Sequence, residues 1–394
     1  MMSLPRAPKP NDALQIVQLN LAYDRSLASP ETLLETYQTL TGWSRAVGRA
    51  GATVHVVQRY SRNARLDEGT VAYEFVGEGA DGPAAPWTCF DRVLAAVEDA
   101  RPDVVHVNGL MFPGMVAALR KRLGQGVAIV LQDHSGHVPR ALAPLRVWTT
   151  SRWGRAFGAA DAVTFTAREL ADRWHRVGLP RDITVLEIPE ASTELEPAPG
   201  AARTGADPSL SILWVARLTE NKDPMTALAA LELALPALPQ ARCAMVFQGG
   251  ELETVVTERI RTTPMLAGRV IPIGRVPHFA LPSYYGAADV FLSASHHEGS
   301  GYALIESMAC GVTPCVTDIP AFRALAGECG RRWRVGDARA AAAALIDLAA
   351  GNQQQARLMV RARFERVLSW DVIGRQTVSA YRALSERRQE GTPR

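Results

Sequence analysis

Cysteine is scarce in this chain of 394 residues, and the five that occur are an odd number scattered along it. They form no CxxC pair and no His-rich ligand spacing, which argues against a disulfide framework and against structural zinc. The first twelve residues lack the apolar segment of a signal peptide, and no run of eighteen uncharged apolar residues occurs. We therefore expect a cytoplasmic protein without a membrane-spanning helix.

An excess of charge of one sign is also missing. Lys and Arg number 43 and Asp and Glu number 40, a formal net charge of +3. No broad basic face therefore indicates a nucleic-acid partner. What is present is a globular composition, with 47% hydrophobic and 21% charged residues. A chain of this length is too long for one ordinary core, which predicts two domains.

Short β-branched runs alternate with longer helical stretches along the chain, as in parallel sheets covered by helices on both faces. The predicted strands span residues 13–20, 52–58, 102–109, 126–134, 161–167 and 182–190, and then 210–217, 241–250, 268–276, 288–295 and 312–318. Between the two sets, residues 190–209 are rich in Pro, Ala, Gly and Ser without periodicity, which is typical of a linker. The predicted fold class is α/β, with two Rossmann-like doubly wound units and a ligand in the cleft between them.

The run GEGADG at 77–82 matches the G-x-G-x-x-G pattern of dinucleotide-binding loops. In that pattern the last glycine opens the helix that receives the pyrophosphate. Here Pro83 and Pro86 follow, and the next helix is predicted to start only near Asp91. A glycine-rich surface turn is the better interpretation.

The stretch from 293 to 311 places one carboxylate, Glu306, in an otherwise apolar predicted helix that Gly311 closes. The positions three and four residues away supply no local partner. Because an unpaired buried carboxylate costs several kcal/mol, it needs donors from elsewhere, such as the vicinal hydroxyls of a ribose. A solvated helix face is the alternative. The Gly-Ser-Gly turn before the helix exposes backbone N–H groups to an oxygen-rich ligand.

A second glutamate, Glu298, precedes Glu306 with seven residues between them. The stretch resembles the E-x7-E signature of retaining glycosyltransferases of the GT-B fold, glycosyltransferase family 4. The resemblance covers nearly the whole chain and is strongest in residues 210–330. It implies that Glu298 and the backbone after it hold the donor sugar, and that Glu306 holds the ribose of the nucleotide. That backbone consists of Gly299, Ser300, Gly301 and Tyr302. The family usually has an aromatic residue where Ser300 stands.

Arg217 and Lys222 bracket a loop between a predicted strand and a helix, with Asp223 as N-cap and Pro224 at the first helical position. A diphosphate leaving group gathers negative charge as the glycosidic bond breaks, and two fixed cations stabilise that charge. The loop resembles the family's G-R-L…K-G segment, which implies this role for both cations. Ala216 replaces the usual glycine of that segment, and Asp223 follows the lysine. Ordinary solvated charge is the alternative.

Metal-dependent transferases of the GT-A fold resemble one another in a D-x-D stretch that holds Mg²⁺ or Mn²⁺ on the diphosphate. No two aspartates of this chain are separated by one residue. We therefore predict no metal and no cofactor, the nucleotide sugar being a co-substrate.

The first half is expected to bind the acceptor. Asp133, His134 and His137 follow a predicted strand, at the edge where doubly wound folds bind ligands. In the family a histidine after this strand often faces the reacting sugar, which implies that role for His134, and a structural histidine is the alternative. Family members often have a glycine-rich loop after the first strand, whereas residues 21–32 contain no glycine. Ser29 is predicted to start a helix there.

The segment 364–388 resembles the family's last helices, which cross back onto the first domain. The resemblance predicts an acceptor-binding domain of residues 1–195 that includes a C-terminal helix near 372–390, and a donor-binding domain of residues 205–371. Residues 140–157 hold four arginines and two tryptophans. They form either a helix with a solvated arginine face or an interfacial helix at the inner face of the membrane.

These features together predict a metal-independent hexosyltransferase that uses a UDP- or GDP-sugar as donor. Its acceptor is a glycan, a lipid-linked compound or a small molecule. The backbone of Val276 is expected to meet the base, but nothing around it distinguishes uracil from guanine or adenine. Retention of configuration is implied by the resemblance alone. Two other interpretations stay open: a non-catalytic partner or sensor that binds nucleotide sugar, and a sugar-nucleotide epimerase of the same fold.

Overall fold

The computed structural model describes residues 13–22, 24–78, 87–134, 146–196 and 210–391. In this part of the chain the strands form two separate sheets, each lying between two apolar clusters. The predicted α/β fold with two Rossmann-like units is confirmed. Among the helices that the structure describes, none combines the length and the apolar character needed to cross a membrane.

The first sheet belongs to the N-terminal half of the chain. Its strands are β1 Gln15–Asn20, β2 Thr53–Tyr60, β3 Ala64–Glu68, β4 Val71–Gly77, β5 Val104–Asn108, β6 Ala128–Gln132, β7 Ala162–Phe165 and β8 Thr184–Glu187. The helices of this half are α1 Pro30–Thr36, α2 Gln38–Arg49, α3 Asp91–Asp99, α4 Pro113–Leu123, α5 Arg146–Phe157 and α6 Ala171–His175. The strand order is β3-β4-β2-β1-β5-β6-β7-β8, and only β3 is antiparallel to its neighbour.

The second sheet is parallel throughout. Its strands are β9 Ser211–Ala216, β10 Arg242–Phe247, β11 Val270–Gly274, β12 Val290–Ser293, β13 Thr313–Thr317 and β14 Arg331–Trp333. The helices that follow along the chain are α7 Pro224–Ala234, α8 Glu253–Thr262, α9 Leu281–Ala287, α10 Tyr302–Ala309, α11 Pro320–Ala326, α12 Ala338–Ala349, α13 Gln353–Arg363 and α14 Trp370–Gln389. The strand order is β11-β10-β9-β12-β13-β14.

Central strands are apolar on both sides because both faces of each sheet are covered. In β5, Val104 packs into one apolar cluster and Val105 into the other. All five residues of β6 are buried. The nearly continuous apolar runs in the sequence are the signature of this arrangement.

Each sheet has one place where the strand order reverses, between β1 and β5 in the first sheet and between β9 and β12 in the second. Doubly wound folds bind ligands beyond the carboxyl ends of the strands at such a place. The last residues of these strands are Asn20 and Asn108 in the first sheet and Ala216 and Ser293 in the second. Both positions carry polar side chains from the following loops, which are described below.

The long C-terminal helix α14 packs against α2 of the first half. The two helices approach closely, since a Cβ on Gly374 would lie 2.3 Å from the carbonyl oxygen of Ala46, and one on Gly42 would lie 2.6 Å from the Trp370 ring. Tyr381 of α14 also makes a 2.5 Å hydrogen bond to the buried ring of His106 in β5. The core of the first half thus includes residues from the end of the chain.

Capping residues and prolines in the sequence predicted several helix ends correctly. Ser29 caps α1 through its side chain, and Asp223 caps α7 with Pro224 at the first position. The helix after the GEGADG run begins at Asp91, as predicted, and β4 before it ends at Gly77. Most of that run, from residue 79, lies outside the described residues.

Two edge strands were missed. The strand β3 has the sequence ARLDE, and β14 is only three residues long. Both are short, and exposed charged side chains account for three residues of β3 and two residues of β14. Edge strands do not require the continuous apolar runs on which the prediction depended.

Candidate active site

A glycine-rich turn connects β12 to α10. Gly301 is the N-cap of α10 with a φ of +66°, and a Cβ at this position would lie 2.6 Å from the side chain of Leu325. Both the backbone conformation and the space therefore favour glycine. Gly299 and Ser300 are buried in the same turn. The amino end of α10 consequently lies at the wall of a cavity, which Gly301 and Tyr302 help to form.

This cavity has a volume of about 330 Å³. The volume is within the range of small-molecule pockets, roughly 300–1,000 Å³. Seven residues predicted to contact the donor line it: Arg217, Lys222, Val276, Glu298, Gly301, Tyr302 and Glu306. Gly299 and Ser300 lie in the adjoining turn and His134 lies elsewhere, so these three are not part of the wall.

The first glutamate of the pair is bonded to one of the two predicted phosphate cations. Lys222 donates from Nζ to Oε1 of Glu298 over 2.5 Å, and the two side chains are 22% and 13% exposed. Asn221 fixes this geometry, because its side chain bonds to the backbone of His297 in both directions at 3.2 Å. An ammonium group has three donors, so Lys222 can hold Glu298 and a ligand oxygen together.

The second cation, Arg217, follows directly after β9 and is exposed at the cavity wall. Within the described residues its guanidinium makes no hydrogen bond or ion pair. A guanidinium offers five donors in a planar fork that matches phosphate oxygens. Arg217 and Lys222 therefore supply cationic hydrogen-bond donors to the cavity wall.

Asp223 explains how the loop between these cations turns without the usual glycine. Its φ is +43°, in the left-handed region that Asp and Asn tolerate better than most residues. Its carboxylate accepts hydrogen bonds from the backbone N–H and hydroxyl of Thr226, at 3.0 and 2.6 Å. His296 contacts the same carboxylate at 3.0 Å. The side chain thus caps α7 while the backbone makes the turn.

Glu306 has partners that sequence spacing did not reveal. The hydroxyl of Tyr285 in α9 donates to Oε2 at 2.9 Å, and Nε2 of His278 lies 2.8 Å from Oε1. Burial raises the pKa of Tyr285 well above its ordinary value, and the charge of Glu306 raises it further. The hydrogen bond to Glu306 raises the pKa of His278 as well, against the opposing effect of burial. Both partners lie more than twenty positions away, so no helical periodicity points to them.

A separate polar cluster lies at the reversal point of the first sheet. The amide nitrogen of Asn108 bonds to the amide oxygen of Asn20, and the amide oxygen of Asn108 contacts Nε2 of His134. On its other side, Nδ1 of His134 contacts Oε2 of Glu190. Glu190 is 2% exposed and follows β8, and sequence reasoning placed it at the start of a linker. His137, the other predicted histidine, lies outside the described residues.

The ring of His134 and the carboxylate of Glu190 change each other's protonation. Burial alone would lower the pKa of His134, but the charge and hydrogen bond of Glu190 more than offset it, so the pKa is raised. Burial likewise raises the pKa of Glu190, which His134 counteracts in part. The partly exposed ring of His134 is thus in contact with a buried carboxylate at this edge of the first sheet.

A hydrogen bond between described residues links the two halves across the cleft. The hydroxyl of Tyr302, at the start of α10, lies 2.6 Å from Oγ1 of Thr39 in α2. Tyr302 is 44% exposed as a whole, but its hydroxyl is covered by this contact. That burial raises the pKa of the hydroxyl, and the nearby charge of Glu190 adds to the rise. Tyr302 thus lines the cavity and lies near the polar cluster of the first sheet.

Two family models match the chain. The one described as Glycosyltransferase Family 4 matches residues 38–187, and the one described as Glycosyl transferases group 1 matches residues 209–351. The matches together cover most of both sheets and the cavity. Within the described residues, no group of three or more His, Cys, Asp or Glu side chains is placed to hold a metal ion.

Similar proteins include mannosyltransferases. The GDP-mannose:cellobiosyl-diphosphopolyprenol alpha-mannosyltransferase of Xanthomonas campestris is 28% identical over 319 residues, which are 79% of each chain. The phosphatidyl-myo-inositol mannosyltransferase of Mycolicibacterium smegmatis is 31% identical over 229 residues, 55% of this chain and 56% of the relative. The match to the Mycolicibacterium protein covers a little over half of that relative, whereas the match to the Xanthomonas protein covers most of that one.

Solved structures show the same fold at lower identity. A sucrose-phosphate synthase from Thermosynechococcus elongatus superposes with a TM-score of 0.66 at 20% identity, over 94% of this chain and 99% of that chain. An alpha,alpha-trehalose 6-phosphate synthase from Burkholderia multivorans superposes with a TM-score of 0.65 at 15% identity, over 95% and 99%. At these identities the likeness concerns the fold.

Proposed function

The chain belongs to glycosyltransferase family 4 and has the GT-B fold, and from this we propose that it is a retaining enzyme that uses a nucleoside diphosphate sugar without a metal ion. The observation that carries the proposal is the composition of one cavity wall. Arg217, Lys222, Glu298 and Glu306 all line it, with Lys222 bonded to Glu298. Such a wall offers cations to a diphosphate and carboxylates to the hydroxyls of a sugar and a ribose.

Each group has a defined task in this proposal. Glu298 accepts hydrogen bonds from donor-sugar hydroxyls while Lys222 holds it in place. Glu306 accepts hydrogen bonds from the ribose hydroxyls. The ribose either displaces His278, the more exposed of the two partners of Glu306, or binds in addition to it. Arg217 and Lys222 contact the diphosphate. Fixed cations of this kind need no reorganisation as charge develops, which is why they lower the barrier.

The proposed reaction exchanges one bond at the anomeric carbon for another on the same face. The bond from that carbon to the diphosphate oxygen breaks as the acceptor oxygen forms its bond. The acceptor's proton passes to the departing phosphate oxygen, and the nucleoside diphosphate leaves with the negative charge that Arg217 and Lys222 stabilise. His134 faces the reacting sugar from the first half. No protein carboxylate forms a covalent intermediate.

We propose GDP-mannose as the donor and a lipid-linked acceptor. The support is the specificity for which the relatives are named, since GDP-mannose:cellobiosyl-diphosphopolyprenol and phosphatidyl-myo-inositol mannosyltransferases match the chain. The acceptors in these names are both lipids that contain phosphate. An enzyme acting on such a lipid works at the membrane surface, which gives the arginine-containing helix α5 a place in peripheral binding.

Thermal unfolding with GDP, UDP, ADP and dTDP, each in the presence of EDTA, tests the donor site. A ligand at a hundredfold its dissociation constant stabilises a protein by about 2.7 kcal/mol. We expect a rise in Tm with GDP that is lost in Glu306→Ala. Stabilisation by another nucleotide would overturn the choice of base, and stabilisation that requires a divalent ion would overturn metal independence.

Turnover is tested separately with GDP-mannose and polyprenyl-diphosphate glycans. We expect release of GDP only when an acceptor is present, with mannose in α linkage in the product. Binding of GDP-mannose without acceptor-dependent release, across a panel of acceptors, would favour a sensor. Conversion of the bound sugar without release of GDP would favour an epimerase.

A further inference from the structure

Glu190 is a buried carboxylate at the acceptor edge for which the proposed reaction has no assigned task. It follows β8 and is 2% exposed, and the next residue, Ala191, packs into the core of the second half. Neither of its carboxylate oxygens has a hydrogen-bond partner within the described residues, and Oε2 is in ion-pair contact with Nδ1 of His134. A buried carboxylate is costly unless a charge or donor compensates it. His134 is the cation that contacts it.

The hydrogen bonds around His134 determine which form of the ring fits. Because the amide nitrogen of Asn108 donates to Asn20, its amide oxygen is the atom that meets Nε2. On the opposite side, Nδ1 meets a carboxylate oxygen of Glu190. Both partners are oxygen atoms, one of them on a carboxylate, so the two contacts are both favourable when both ring nitrogens present a proton. Only the doubly protonated imidazolium can do so.

The other charged and titratable groups near this ring support the same form. Asp133, which directly precedes His134, adds negative charge that favours the cation. His106 in β5 is buried, and burial lowers its pKa to about 3, so it is neutral and does not compete. Tyr302 of α10 has a raised pKa and is likewise uncharged at neutral pH. The described surroundings of His134 are therefore net negative.

We propose that Glu190 is a positioning residue that keeps His134 doubly protonated and oriented at the acceptor edge. In the ligand-free protein the Nε2–H group donates to Asn108, and a substrate oxygen can take over this donor. Glu190 holds the ring from the other side through Nδ1. The buried amide nitrogen of Asn20, which has no partner within the described residues, adds a second donor beside the same place.

This inference rests on the proposed transfer reaction, in which His134 faces the reacting sugar. A cationic donor there binds an oxygen that carries partial negative charge, such as one on the departing diphosphate or a sugar hydroxyl. A neutral ring would lose either the Nδ1 or the Nε2 bond. Loss of the carboxylate therefore affects the reaction through the charge and orientation of the ring rather than through direct contact with substrate.

The first experiment measures the ring itself. An NMR titration of the ring nitrogens, with the His134 signal assigned by its absence in His134→Gln, gives the pKa without any turnover. In the wild-type protein we expect a pKa above the ordinary value of histidine. In Glu190→Gln we expect it to fall toward or below that value. A wild-type value at or below the ordinary one overturns the proposal even where the variant does not fold.

The second experiment measures kcat/KM against pH for the wild type, Glu190→Gln and the control Glu187→Gln. Glu187 is an exposed glutamate three positions earlier that pairs with Arg168 at the surface. In Glu190→Gln we expect the alkaline limb to move to lower pH, with roughly a tenfold loss or more at pH 8 and a smaller loss at pH 5.5, since acid conditions protonate the ring anyway. The control should match the wild type.

An equal loss at every pH in a folded Glu190→Gln protein would overturn the positioning role, since that is what a purely structural residue produces. The outcome is separable from failure of the proposed function. If the wild type does not release GDP with any acceptor, the transfer reaction fails, whereas the titration of His134 still decides whether Glu190 holds the ring as a cation.

Discussion

The hydroxyl of Tyr285 donates a hydrogen bond to Glu306 across 2.9 Å, so a residue of α9 holds the carboxylate of α10 at the donor cavity. Tyr285 is fully buried, whereas His278, the other partner of Glu306, is partly exposed. The carboxylate is therefore fixed from its protein side and reachable from the cavity. The first prediction follows from this hydrogen bond.

Tyr285→Phe removes the fixed donor without removing the ring. We expect the free energy of unfolding to fall by roughly 1.5–3 kcal/mol, the usual contribution of a hydrogen bond to a charged group. GDP binding should weaken as well, because Glu306 gains freedom. Denaturant unfolding and calorimetric titration check both effects. Tyr284→Phe is the matched control, since Tyr284 is half-buried and makes no hydrogen bond in the described residues. Equal stability of the two variants would contradict the prediction.

Lys222→Ala removes a cation and leaves Glu298 without its partner. We expect kcat/KM to fall roughly a hundredfold or more, as losses of preorganised electrostatic groups usually do. Steady-state kinetics with the donor sugar provide the measurement. Lys121→Ala serves as control, because Lys121 is an exposed lysine at the end of α4 in the other half. A Lys222→Ala enzyme of near-wild-type rate would remove the lysine from the reaction.

The stability of variants at Asp223 should depend on two features together, the left-handed backbone conformation and the helix cap. Asparagine keeps the cap and tolerates the left-handed conformation, glycine keeps only the conformation, and alanine keeps neither. We therefore expect stability in the order Asp and Asn, then Gly, then Ala, with a loss of about 1 kcal/mol for the cap alone. Urea unfolding gives the order. Alanine at least as stable as glycine would show that strain at this position is unimportant.

The pair of His278 and Glu306 predicts a pH-dependent contribution to stability. The raised pKa of His278 means that its cation binds more favourably in the folded protein. This contribution is complete below the ordinary pKa of histidine and disappears as the pH rises through the raised value. The difference in unfolding free energy between wild type and His278→Asn should therefore be larger at pH 6 than at pH 9. A difference that grows with pH would contradict this sign.

The hydrogen bond between Thr39 and Tyr302 can be isolated by a double-mutant cycle of Thr39→Val and Tyr302→Phe. We expect a coupling free energy of roughly 0.5–1.5 kcal/mol, since the bond is between neutral groups. Each single variant should also widen the cleft, which small-angle X-ray scattering detects as a larger radius of gyration. Additive effects in the cycle would show that the contact does not stabilise the closed arrangement in solution.

Short-range rules account for what the sequence predicted well. The caps Ser29 and Asp223 and the closing residue Gly311 act within three or four positions of the helix that they end, so their patterns are visible in one segment. The central strands were found because burial on both faces leaves an apolar run. The two glutamates and two cations came together at one cavity because three of them lie in loops that follow β9 and β12, and Glu306 lies within the helix that follows β12.

What the sequence did not predict depends on contacts between distant segments. Tyr285 and His278 meet Glu306 only because α9 and α10 lie beside each other in the fold. Glu190 was placed in a linker because its neighbours are Pro, Ala and Ser, yet burial against His134 determines its chemistry. No spacing rule relates residue 134 to residue 190. Such pairs become visible only when strand order is known.

The packing of α14 onto α2 has a consequence for the order in which the chain matures on the ribosome. Tyr381 and Trp370 complete the core of the first half, and they are synthesised after all the strands of the second sheet. One core cluster of the second half, by contrast, is built from residues 210–348. Nascent domains usually fold in the order of their synthesis. Here the half that emerges first must await α14, which follows the second sheet, so the surface of the first half that α14 covers is the part that needs protection during translation.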